Sequence, residues 1–225
     1  MIPTSSVIIN DTIYFTISQL VARLQPVTSQ MKPRHAIIIV IVAELLVAAL
    51  GINNYGWNIE GLQATTRFSG RLSLFIFSFI FLLYPKDNSI LRFYLSENFF
   101  LAFAIGHGIH LGELLSYVSL SGTPLVPYRL AGGFLAYILI FIMPFIQQRS
   151  ETGKLTPKRY QSIGYFYLFY VWLIFFMTYV GRLRSELRNA GGTREEYLTL
   201  IGWVIVMLGI KIAYMLFAKP KQSIT

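Results

Sequence analysis

The chain has 225 residues, 55% of them hydrophobic and 13% charged, about half the charged share of a soluble domain; its mean hydropathy of +0.57 marks an integral membrane protein. The absence of cysteine excludes disulfides, Cys-ligated zinc, iron–sulfur clusters and thiol nucleophiles. The net charge of +9 is scattered between apolar runs, where it orients helices and meets anionic lipid; no nucleic-acid partner is suggested.

Residues 1–31 come first. Ile13, Ile17, Leu20, Val21 and Leu24 recur at helical spacing between a start at Asp11 or Thr12 and a stop at Pro26. This predicts an amphipathic helix on the membrane surface, or an ordered lid against the bundle. The segment has neither the basic start nor the unbroken apolar core of a signal peptide.

Six spans follow, each judged against the roughly 20 residues a bilayer core requires. They are His35 to Ile52, Ser69 to Tyr84, Asn98 to Leu120, Leu130 to Ile146, Tyr160 to Gly181 and Tyr197 to Phe217. Pro85, Pro124, Pro127 and Pro157 fall between spans, where helix breakers belong, and Pro144 is placed to bend the fourth. No repeat or long linker divides the chain. The expected architecture is all-α: a polytopic bundle over residues 32–218, with a short tail at 219–225. Outside the spans, eleven Lys and Arg lie on the side of the termini and seven on the other. The positive-inside rule then places both termini in the cytoplasm.

Ionisable groups at membrane depth are functional candidates. Glu44 lies in span one, Arg71 in span two, His107, His110 and Glu113 in span three, and Lys211 in span six. Steps of three residues put His107, His110 and Glu113 on a winding stripe, with Gly106, Gly108 and Gly112 around it. His107 sits roughly 13 Å down its helix, near the bilayer centre. The stripe could present imidazoles to haem, form a His-x-x-His-x-x-Glu metal site, or let the histidine pair hydrogen-bond across the bundle to Glu44, Glu113 or backbone carbonyls. Residues 107 and 110 point the same way and cannot sandwich one iron, and His35 is too shallow to help. Met177 or a tyrosine of span five could be the axial partner, or one coordination position could stay open. Arg71 could pair with Glu44 or hold an anionic cofactor group. The aromatics of span five read as lipid-facing anchors, with a quinone or porphyrin wall as the alternative. Lys211 is expected to snorkel to the cytoplasmic edge. No phosphate-binding glycine loop, nucleophile elbow or dinucleotide fingerprint occurs.

Span two opens Gly70-Arg71-Leu72-Ser73-Leu74 and ends Leu83-Tyr84-Pro85. Span three runs from Glu97-Asn98-Phe99 to Gly106-His107-Gly108-Ile109-His110, and Lys158-Arg159-Tyr160-Gln161 precedes span five. Over residues 67–184 the chain resembles the ferric-reductase-like transmembrane domain, in particular its bacterial branch with the haem-binding subunit of the methionine-sulfoxide reductase system. The resemblance implies electron transfer through one b-type haem held by His107 or His110, with Arg71 nearby, quinone as a candidate donor and a redox partner protein. It also exposes a departure: the family carries further histidines on the helix matching span five, and here that stretch has none. Two other readings stand beside it. One is an accessory membrane subunit of a larger complex that keeps the fold without haem; the other is a metal-binding or transport protein using the stripe.

Overall fold

The computed structural model describes residues 33–84, 99–122, 127–188 and 191–217. Six helices fill them: α1 Pro33–Tyr55, α2 Ile59–Leu83, α3 Phe99–Ser121, α4 Pro127–Glu151, α5 Pro157–Gly181 and α6 Arg194–Phe217, with a 3-10 turn Ser185–Leu187 before α6. All six are long and apolar enough to cross a bilayer, and no strand occurs among the described residues. The protein is therefore a multi-pass membrane protein whose outer face meets lipid, through side chains such as Leu45, Phe75, Phe134 and Leu216. The surface segment expected at 1–31 and the tail at 219–225 lie outside the described residues.

Helix α2 is the centre of the bundle. It packs on α1, α3, α5 and α6, and its inward face carries Phe77, Ile80 and Phe81 without solvent exposure. It begins ten residues before the expected Ser69. Asn58 caps it, accepting from the Gly61 N–H at 2.9 Å, and Glu60 lies in the first turn, where a carboxylate suits the helix dipole. The polar run Thr65, Thr66, Arg67 hid this turn from a hydropathy reading, because those side chains are buried inside the bundle. Two hydroxyls of α2 bond back along the helix: Thr66 donates to the Leu62 carbonyl at 2.9 Å, and Ser78 to that of Leu74 at 2.8 Å. A helix in hydrocarbon tolerates such residues when their polar atoms stay paired.

Two expectations need correction. Lys211 does not snorkel. It is fully buried and donates through Nζ to the carbonyl of Tyr84, the C-cap of α2. The last carbonyls of a helix lack partners and carry the negative end of its dipole, so a cation is well placed there. The rings of Phe81 and Tyr165 lie 5.7 and 5.8 Å from the ammonium. The span-five aromatics, in turn, are mostly not lipid-facing: Tyr167, Phe175 and Tyr179 are buried and only Phe166 is a large exposed ring. They fill the core because α5 must pack against both α4 and α6. Tyr170 donates to the Gly132 carbonyl of α4 at 3.1 Å, and Trp172 to that of Val204 in α6 at 2.9 Å.

Candidate functional site: an arginine- and histidine-lined cavity

A cavity of about 200 Å³ opens where α2, α4 and α6 begin and α3 and α5 end. That is the end of the bundle away from the start of α1. Arg67, Arg71 and Gly70 reach it from α2, His107 and His110 from α3, Tyr137 from α4, Phe175 and Tyr179 from α5, Arg182 just beyond α5, and Tyr197 from α6. Each arginine is held differently. Arg67, only 7% exposed, donates through Nη2 to the Tyr55 hydroxyl at 3.1 Å and lies over the rings of Phe68 and Tyr55 at 4.6 and 5.5 Å. Its Nε and Nη1 are buried without a partner. Arg71 forms an ion pair with Glu196, while its Nε has no partner. Arg182 donates to the Leu187 carbonyl.

Glu196 was not legible as a site residue. Thr193 and Glu196 form a capping box at the start of α6: the threonine hydroxyl accepts from the Glu196 N–H at 3.2 Å, and the Glu196 carboxylate from the Thr193 N–H at 3.4 Å. The Thr-x-x-Glu pattern signals that cap; nothing in the sequence signals the pairing with Arg71. Glu44, the partner considered for Arg71, faces another part of α3. Replacing Glu196 with alanine removes half the box and neutralises Arg71's partner. Stability is expected to fall by about 1–2 kcal/mol in denaturant unfolding.

The histidines are brought together; Glu113 is not. The rings of His107 and His110 lie 5.2 Å apart. His107 is stacked against Phe103 and Tyr137 at 5.3 and 4.9 Å, and His110 packs so closely on α2 that a Cβ at Gly70 would lie 3.2 Å from its Cε1. Both Nδ1 atoms are buried without a hydrogen bond, so at Nδ1 neither imidazole makes the bond to a carboxylate or carbonyl that was one of the alternatives. Each three-residue step falls 60° short of a full turn, so Glu113 stands about 120° around the helix from His107. It turns toward Ser69, away from the cavity. Among the described residues no group of three His, Asp or Glu side chains is placed to hold a metal ion.

The donor chemistry here suits part of a haem: imidazole for iron and guanidinium for propionates. The space does not. About 200 Å³ is below the roughly 300–1,000 Å³ that encloses a drug-sized ligand. Nor does α5 offer an opposing imidazole or thioether. Met177 is 57% exposed on the outer face, and the side chain packed edge-on against His107 is Phe175, at 5.9 Å. Tyr179 of α5 does line the cavity, but the volume does not fit an enclosed haem with two protein ligands. A small anion fits both the volume and the charge. No protein-family model, curated protein or solved structure matches the chain.

Proposed function

We propose that the protein is an accessory, ligand-binding membrane subunit that holds a small carboxylate- or phosphate-bearing molecule in the arginine-lined cavity. The observation that carries this reading is Arg67. A guanidinium inside a membrane bundle with Nε and Nη1 unpartnered is costly unless an anion completes it. Three arginines line the cavity, and Glu196 is the one carboxylate ion-paired with any of them among the described residues. Guanidinium is suited to carboxylate and phosphate because its fork of donors matches two oxygens at once.

The cavity also sharpens the topology. Arg67, Arg71 and Arg182 belong to the seven basic residues on the side away from the termini, but they face the cavity and do not address the headgroups. Discounting them leaves four against eleven, which favours cytoplasmic termini and a cavity mouth on the opposite side; the ferric-reductase-like resemblance makes a bacterial inner membrane our reading of the compartment.

A second reading, the b-haem electron-transfer subunit implied by the ferric-reductase-like resemblance, is favoured by one observation: two imidazoles with unpartnered Nδ1 atoms beside the cavity. An optical spectrum separates the two. The purified protein is expected to be colourless, with inorganic phosphate raising its unfolding midpoint. A Soret band lost in His107→Ala or His110→Ala, with no response to phosphate, would favour haem instead.

A further inference from the structure

A second polar cluster lies outside the cavity, between α1, α2 and α3. Helix α1 turns an apolar surface outward at Ile38, Ile39, Val42, Leu45 and Leu46, yet its inward face carries Glu44, 2% exposed. Both oxygens of that carboxylate are buried without a hydrogen bond of good geometry. Space for it is made by Gly106 of α3, where a Cβ would lie 3.4 Å from Glu44 Oε1. Glu113, two turns further along α3, is near enough to repel it, and a helical side chain leans toward the N-terminus and so toward Glu44. The Ser69 hydroxyl of α2 faces both carboxylates and is itself fully buried with no other partner.

Among the described residues, no cation balances this pair. From α2, Arg71 is paired with Glu196 and Arg67 is held by Tyr55. From α3, His110 packs on Gly70 and His107 between Phe103 and Tyr137. From α1, no other titratable side chain lies on the inward face between Val40 and Gly51. Glu113 is half-buried, with its Oε2 removed from water and unpartnered; a buried carboxylate beside it cannot stay charged as well unless something positive joins them. We propose that Glu44, Ser69 and Glu113 bind one monovalent cation, a proton or an alkali-metal ion, between α1, α2 and α3. The ligands are hard oxygens throughout, as such a cation requires. The site is separate from the anion cavity and stands without it.

The full chain in lipid nanodiscs tests this with two readouts. Infrared spectra in H2O and D2O near neutral pH detect a protonated carboxyl. Thermal unfolding in NaCl, KCl and choline chloride at equal ionic strength detects an alkali ion. A carboxyl band that is lost in the Glu44→Gln, Glu113→Gln double variant identifies the ligand as a proton. A midpoint that rises in Na⁺ or K⁺ but not choline, and is flat in Glu44→Gln, identifies an alkali ion. Ser69→Ala, which alters no charge, should shift the band or reduce the rise even if the glutamine variants fail to fold. Wild-type protein with neither signal, or signals unchanged in every variant, overturns the proposal.

Discussion

Adding one methyl group at position 164 is expected to destabilise the protein by about 1–3 kcal/mol, the usual penalty for overpacking a tight interior. A Cβ built on Gly164 collides with the hydroxyl and ring of Tyr84. Tyr84 has little freedom to move aside. Its hydroxyl donates to the Tyr160 carbonyl at 3.2 Å, its N–H donates to Ile80 at the end of α2, and its own carbonyl accepts from Lys211. Its ring also meets Phe100, Tyr160 and Tyr165 edge-on. Gly164→Ala must therefore push α5 from α2, whereas Gly209→Ala in α6, with nothing within 4 Å of the new Cβ, should gain up to about 1 kcal/mol from helix propensity. Unfolding of the two variants in mild detergent, followed by circular dichroism, should move in opposite directions.

Arg67→Gln is expected to weaken phosphate binding about ten- to a hundredfold, the equivalent of one hydrogen bond to a charged group at about 1.5–3 kcal/mol. Arg67 is the guanidinium with most to give, since Nε and Nη1 are unpartnered while Nη2 is already fixed on Tyr55. Clamping between Phe68 and Tyr55 means that little side-chain freedom is lost when an anion binds. Arg149→Gln, an exposed residue in the last turn of α4, should leave the affinity unchanged. Isothermal titration with phosphate at fixed ionic strength compares the two variants directly.

The membrane class and the number of spans could be read from composition and apolar runs, because a bilayer imposes length and polarity on any helix that crosses it. The start of α2 could not. Thr65, Thr66 and Arg67 look like a loop until a bundle interior is found to receive them. The two histidines were visible as neighbours on one face of α3. What they share the cavity with was not, since Arg67 and Arg182 look in sequence like ordinary flanking charge and Tyr137 like another aromatic in a greasy helix. Arg67 and Arg71, one turn apart, were the available hint of a common face. Lys211 illustrates the same limit: its partner is a backbone carbonyl 127 residues away, and no periodicity in α6 announces it.

The cysteine-free sequence allows the central claim to be tested at a single introduced thiol. Thr178 lines the cavity and has an exposed side chain, so Thr178→Cys places a label there without competing sites. In oriented vesicles, a membrane-impermeant maleimide should modify it from the side opposite the termini. Inorganic phosphate should slow that modification severalfold, and Arg67→Gln should abolish the protection. Equal rates with and without phosphate in the otherwise unaltered protein would contradict an anion-binding cavity.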